Sequence, residues 1–359
     1  MRVVIASRSL GLGGVRMTSM ELGWALAKRG CDVAIVGPDA EPRGDREAEL
    51  CEGLELYPDA KDDARETGRR IRDLNPDMVR LMTGAFPPDT RLALPLTTGG
   101  VRVVESLHLF KFGARVGPLR RLMYTARPAS RYRLLVPTIT MYEWTLERLP
   151  SHKRVLRLVR QGIRLPDLNP QDVQRTGSEP LRIVTVCRLV ERHKDVSTLL
   201  RAIAIARHEV SIELKIVGDG RDRDALESLA RDLGVSDVVT FAGWLNNPLR
   251  EVASGHVFAL STKLEASPRV ILEAGSLGVT SVASKVIGCW DLVEHEKTGL
   301  LCAPGDPHSM AEAFVLLAND EARRRELGAA AREHAKRLNV DAWAEGTLEV
   351  AREIGITEG

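Results

Sequence analysis

Aromatic side chains are scarce in this chain, only 4% of its 359 residues, so any core must be built mainly from aliphatic packing. Cysteine is sparse too. The five present (Cys31, Cys51, Cys187, Cys289 and Cys302) are scattered, odd in number and never spaced as Cys-x-x-Cys. That pattern argues against a disulfide framework and against a thiolate metal cluster. An excess of charge of one sign is also lacking. Lys and Arg total 51 against 49 Asp and Glu, and a net charge of +2 does not suit a general nucleic-acid binder. No apolar run is long enough to span a bilayer, and Met1-Arg-Val-Val-Ile-Ala-Ser7 is too short an apolar stretch for a signal peptide. These absences lead to the expectation of a cytoplasmic, reduced protein. The length exceeds one ordinary core and points to two domains.

What is present is a regular alternation. Short Val/Ile-rich runs are separated by amphipathic stretches, the pattern of a parallel sheet covered by helices on both faces. The first half carries runs at Arg2–Ser7, Asp32–Gly37, Met78–Met82, Val101–Ser106 and Arg133–Thr138. The second carries Arg182–Leu189, Glu213–Gly218, Val238–Gly243, Val257–Thr262 and Ser281–Ser284. Between the sets lies a stretch rich in proline and polar residues. The expected fold class is α/β: two Rossmann-like, doubly wound domains with a cleft between them. Residues 1–165 form the first, completed by a C-terminal helix at 342–359. Residues 166–180 form the linker and 181–341 the second domain. Ligands of such sheets bind at the carboxyl ends of the strands.

One segment carries more chemistry than the rest. Glu265 and Glu273 flank the sequence Ala-Ser-Pro-Arg-Val-Ile-Leu. Ser267 is a natural N-cap and Pro268 a natural first helical residue, so a helix is expected to begin between the two carboxylates. Unpaired N–H groups and the positive dipole end would then lie beside Glu265, with Glu273 on the second turn. Such an arrangement suits an anion flanked by hydroxyls, as in a nucleotide sugar.

At this point the residues resemble glycosyltransferase family 4, retaining enzymes of the GT-B fold (glycosyl transferases group 1). The motifs in order are Gly11-Leu-Gly-Gly-Val15, Ser106-Leu-His108, Cys187-Arg-Leu-Val-Glu-Arg-His-Lys194, Ile216-Val-Gly-Asp-Gly220, Phe241-Ala-Gly243, the Glu265/Glu273 pair and Thr298–Asp306. The resemblance runs along nearly the whole chain and is strongest from Arg182 to Asp306. It implies transfer of a sugar, of hexosyl type, from a UDP- or GDP-sugar to an acceptor hydroxyl, without a bound metal or other cofactor. It implies that Arg188 and Lys194 stabilise the departing diphosphate, that Glu265 meets hydroxyls of the donor sugar, and that His108 lies near the sugar or acceptor and orients a hydroxyl. Donor contacts are implied for Gly13, Gly14, Gly218, Gly243, Trp244, Ala266, Ser267, Arg269, Val270 and Glu273, the last at the ribose. No covalent nucleophile is evident, and the departing phosphate would help to accept the acceptor's proton.

The chain departs from the family pattern in places. Ala266-Ser267 stands where Gly-Phe is usual, Gln161-Gly-Ile-Arg164 replaces Asn-Gly-x-Asp, Gly288-Cys289 replaces a glycine pair, and the Arg188–Lys194 spacing is one residue longer, with His193 as the insertion. A non-catalytic GT-B protein that binds a nucleotide sugar, or serves as a partner subunit, therefore stays open. A minor alternative is an NAD-dependent oxidoreductase, since Gly11-x-Gly13 imitates a dinucleotide fingerprint; Arg8-Ser-Leu10 intervene after the strand, however, and Arg16 takes the third glycine position. Asp222-Arg-Asp224 imitates a metal motif but reads as helix-start acids. Finally, residues 111–160 are rich in Lys and Arg with few acids, which suits an anionic acceptor or peripheral contact with an anionic membrane at its inner face.

Overall fold

The computed structural model describes residues 1–7, 14–37, 40–58, 63–83, 90–107, 128–168 and 180–356. It divides into two units, one of Met1–Arg164 with Asn339–Gly359 and one of Leu165–Leu338. Residues 169–179, most of the expected linker, lie outside the described residues.

The first unit holds a seven-stranded parallel sheet: β1 (Arg2–Ala6), β2 (Asp32–Val36), β3 (Glu55–Tyr57), β4 (Met78–Thr83), β5 (Val103–Leu107), β6 (Tyr132–Val136) and β7 (Leu156–Leu158), in the order β3-β2-β1-β4-β5-β6-β7. The second unit holds β8 (Leu181–Val186), β9 (Ile212–Val217), β10 (Val239–Gly243), β11 (Val257–Leu260), β12 (Thr280–Ser284) and β13 (Gly299–Cys302), in the order β10-β9-β8-β11-β12-β13. Every pairing in both sheets is parallel. The winding direction reverses between β1 and β4 and between β8 and β11, and a crevice opens beyond the carboxyl ends at such reversals.

The runs expected from the sequence appear as strands because both faces of each sheet are covered, so Val3, Val4 and Ile5 are all fully buried. Three edge strands, β3, β7 and β13, were not among the expected runs. Each has three or four residues, too few for a periodicity to show, and takes its register from the neighbour it pairs with, as Ala34↔Glu55 and Ser281↔Gly299 illustrate.

The last helix, Val340–Arg352, closes the first unit. Trp343, Ala344, Leu348 and Ala351 join one core cluster with Val3, Ile5, Leu22 and Leu26. Its far end is held by Glu353, which receives Arg133 at 2.9 Å and Arg157 at 2.6 Å. The hydrogen bonds from Arg157 and Arg133 hold the Glu353 carboxyl below the usual carboxylate range, against the opposing effect of burial. At its start, Ile163 pairs with Asn339, and a Cβ on Gly162 would sit 2.0 Å from the Asn339 carbonyl oxygen, so only glycine fits. Arg164 is anchored by Glu49 at 2.5 Å and lies over the Trp24 ring, while its backbone N–H donates to Glu21.

Candidate functional site

The expected chemistry gathers at the carboxyl ends of β8 and β11, on either side of the reversal in the second sheet. β8 runs into Cys187 and Arg188, then a single helical turn, Glu191–Lys194. That turn is capped from outside: the Glu191 N–H donates to Asp222 Oδ2 at 2.8 Å. Asp222 thus serves a local structural purpose, and no cluster of three or more His, Cys, Asp or Glu able to hold a metal occurs among the described residues. Asp195 ends the turn in the left-handed conformation (φ 50°), which reverses the chain.

Segment 261–265, leaving β11, is stitched to this turn. Thr262 Oγ1 and the Lys263 N–H both donate to the His193 carbonyl, at 2.7 and 2.8 Å. Two ion pairs then cross between the segments. Lys263 Nζ reaches Asp195 Oδ1 at 2.7 Å, and Lys194 Nζ donates to Glu265 Oε1. Lys194 and Glu265 side chains are only 23% and 13% exposed. Burial pulls the Lys194 ammonium pKa down, but the Glu265 carboxylate outweighs it and leaves the pKa above its ordinary value. Thiols lie close by on both sides. Burial pushes Cys187 up to about 11, and burial with the Glu265 charge pushes Cys289 well up, so both stay protonated at neutral pH.

The wall behind Glu265 is Gly288. A Cβ there would lie 2.6 Å from the Ala266 carbonyl carbon and 2.9 Å from that of Glu265. The departure from a glycine pair to Gly288-Cys289 therefore keeps the glycine that the close approach requires, and Cys289 is fully buried beside it.

The helix after Glu265 starts later than the sequence suggested. It spans Arg269–Ser276, with Pro268 in the cap position (ψ 99°) and no side-chain cap bond. Ser267 is not its N-cap, nor Pro268 its first residue; the extended ψ of Pro268 delays the first turn, which the Ile271 N–H closes onto the Pro268 carbonyl at 3.0 Å. Glu273 keeps its place on the second turn. It is buried and pairs with Arg269 one turn earlier, at 3.3 Å, so two of the expected donor-binding residues hold each other. Ala266 is buried, while Ser267 and Val270 are half-buried.

The turns after β8 and β9 are pressed together. Gly218 has φ 133°, its N–H donates to the Gly243 carbonyl at 2.7 Å, and a Cβ on it would lie 1.9 Å from the Cys187 oxygen. Gly243, with φ 73°, ends β10 and leads to Trp244, which is 46% exposed and donates through Nε1 to Asn246. Arg188, Lys194, Glu265, Glu273, Gly218 and Gly243 thus all belong to the same edge of one sheet or to the segments that leave it. Sequence reading passed over Thr262, Asp195 and Lys263. A signal was available: opposite charges stand near one another both in Lys194-Asp195 and in Lys263-Leu-Glu265, each in the segment that follows a strand.

In the first unit, His108 and Gly13 lie outside the described residues, as do Lys111, Arg115, Arg120, Arg121 and Arg127 of the basic stretch. Gly14 is the exposed first residue of helix Gly14–Ala27. Arg16, at the third position of the imitated fingerprint, is buried and paired with Glu47 at 2.8 Å.

Comparison with known proteins bears on the same region. Residues 180–320 match the family model described as glycosyl transferases group 1. The N-acetyl-alpha-D-glucosaminyl L-malate synthase of Bacillus anthracis is 31% identical over 156 residues, 44% of this chain and 41% of that protein. The chain's match thus spans less than half the length of this curated relative. Among solved structures, a glycosyltransferase from Rickettsia africae superposes with a TM-score of 0.80 at 13% identity, over 99% of both chains. Anabaena Alr3699/HepE in complex with UDP-glucose gives a TM-score of 0.73 at 16% identity, over 97% of this chain and 99% of that one. At such identities what is shared is the fold, and that fold is GT-B.

Proposed function

We propose that the chain, whose residues 180–320 match the glycosyl transferases group 1 family model, is a retaining glycosyltransferase that moves a sugar from a UDP- or GDP-sugar to an acceptor hydroxyl. The observation that carries this reading is the contact of Lys194 with Glu265 at the β8/β11 reversal. It puts a cation for a diphosphate beside a carboxylate for sugar hydroxyls, with Arg188 on the same strand end and Glu273 one helix turn beyond. Glycosyl transfer places growing negative charge on the leaving diphosphate, and prearranged cations lower the barrier by meeting it. In this reading Arg188 and Lys194 meet the diphosphate, Glu265 accepts hydrogen bonds from the sugar, and Glu273, oriented by Arg269, accepts them from the ribose. The backbone around Gly218 and Gly243 lines the nucleotide's path, with the Trp244 indole beside it. The two site thiols, held neutral, do not compete as nucleophiles. The relative solved with UDP-glucose supports a nucleotide-sugar donor.

The test is a thermal-shift screen against UDP, GDP, ADP, their sugars and NAD, followed by a donor-hydrolysis assay. Ligand at a hundred times its Kd stabilises the folded state by about 2.7 kcal/mol, so the true nucleotide stands out. Stabilisation by UDP or GDP with release of sugar is the expected result. Stabilisation without turnover would favour a non-catalytic nucleotide-sugar binder, and stabilisation by NAD alone would overturn the reading.

The reading extends to an anionic partner for the first unit. No helix among the described residues is long and apolar enough to cross a membrane. Ile139 and Leu158 are exposed at 42% and 38%, near in sequence to Arg131, Lys153, Arg154 and Arg160, and Arg148 lies over the Trp144 ring at 4.2 Å. Apolar side chains among basic ones suit an anionic membrane face. Co-sedimentation with phosphatidylglycerol vesicles, but not with neutral phosphatidylcholine vesicles, is expected, and should weaken with added salt. Equal recovery with both vesicle types would remove this part of the proposal.

A further inference from the structure

We propose that Glu265 makes the site discriminate against spent nucleoside diphosphate, by holding Lys194 in an ion pair that a bare diphosphate must break without offering a replacement. The inference rests on the glycosyl-transfer reading above and adds to it a role in choosing the intact donor over the product.

Among the described residues, Lys194 is the one side chain that hydrogen-bonds Glu265. The backbone that carries the carboxylate has little room to retreat. Gly288 presses on the backbone of Glu265 and Ala266 from behind, Ala266 is 2% exposed, and Cys289 is fully buried. On the other side, Thr262 and Lys263 tie the Glu265 segment to the His193 carbonyl, so loop and turn are fixed with respect to each other. Any phosphate that reaches Lys194 therefore arrives beside a largely buried carboxylate whose backbone stays in place.

Two ligands differ in what they return to it. A bare diphosphate takes the ammonium and adds like charge, leaving Glu265 largely buried and uncompensated, which is strongly unfavourable. An intact nucleotide sugar takes the same ammonium but brings hydroxyl donors, and hydrogen bonds to a charged acceptor recover much of the loss. After transfer the hydroxyls leave with the product, and the Glu265 carboxylate can recapture Lys194 as the diphosphate departs.

The experiment is isothermal titration of wild type, Glu265→Gln, Lys194→Met and the double variant. The probes are UDP and GDP with the matching monophosphates, UMP and GMP. Glutamine keeps the shape of Glu265 and removes its charge, and a thermal melt confirms that each variant is folded. Glu265→Gln should bind the diphosphate about tenfold more tightly than wild type, the scale of one close charge contact at a partly exposed site. Affinity for the monophosphate should stay the same, and the gain should vanish in the Lys194→Met background, where there is no ammonium to release. Unchanged or weaker diphosphate binding by Glu265→Gln overturns the inference while leaving glycosyl transfer standing. An equal gain for the monophosphate, or one that persists without Lys194, also overturns it, because simple repulsion would then suffice. A wild type that binds no nucleotide removes the glycosyl-transfer reading itself, and this inference with it.

Discussion

Replacing Lys194 with Ala should reduce donor turnover by about a hundredfold to a thousandfold, the usual effect of deleting one group that meets developing negative charge. Two physical losses add up in this variant. The cation is gone, and Glu265, 13% exposed, loses its counter-ion and sits as an uncompensated charge. Lys194→Ala should therefore lower the melting temperature as well as kcat. Arg188→Ala separates the two effects. Arg188 is exposed, so its removal should lower kcat on a comparable scale while the melting temperature changes little. Lys194→Arg should not rescue, since a planar guanidinium does not reproduce a compact ammonium wedged against one carboxylate oxygen. Steady-state kcat and KM for sugar release, measured beside a thermal melt, check all three variants. Near-normal turnover in both alanine variants would sink the proposed roles.

Gly218→Ala should be among the most damaging single-methyl additions in the second unit. Two penalties coincide there. A φ of 133° is a conformation that side-chain-bearing residues rarely adopt, and the new Cβ would fall 1.9 Å from the Cys187 carbonyl oxygen, a backbone atom that cannot rotate aside. Strained backbone and overpacking together are expected to remove about 3–5 kcal/mol of stability. Gly234→Ala is the internal control. Gly234 has φ 67° with nothing within 4 Å of its would-be Cβ, so it reports a left-handed backbone cost without a clash, about 1–2 kcal/mol. Urea unfolding of both variants measures the difference. A loss at Gly218 no larger than at Gly234 would show that the close approach to Cys187 does not matter. Because Cys187 leads directly to Arg188, any relaxation that accommodates the methyl should also reduce turnover in the folded fraction.

Particular elements show why some of this molecule is legible in its sequence and some is not. The buried strands are, because an aliphatic run between two helical stretches has few other ways to hide both its faces. Edge strands such as Leu156–Leu158 are not, since three residues acquire their conformation only from a neighbour that is already in place. The helix after Glu265 starts one position later than its local sequence suggests. Ser267 and Pro268 have the local preferences of a cap and a first residue, yet Pro268 holds an extended ψ and the helix begins at Arg269. Local preference at a cap amounts to about 1 kcal/mol, which the packing of the surrounding loop can override.

By itself, the sequence determined the alternation of strand and helix, the division of the chain into two parallel sheets, and the presence of Arg188, Lys194, Glu265 and Glu273 just beyond strands of the second sheet. These follow from short-range physics, from hydrophobic periodicity and from the directionality of a parallel sheet. Only the tertiary structure decided which charge meets which. Lys194 stands 71 positions from Glu265 in the chain, and Lys263 68 from Asp195, yet each pair is in contact. The order of strands, with β8 laid against β11, brings the two loops together, and the hydrogen bonds from Thr262 and Lys263 to the His193 carbonyl hold them there. Charge pairing is a property of distance in space, and distance in space is set by the winding of the sheet.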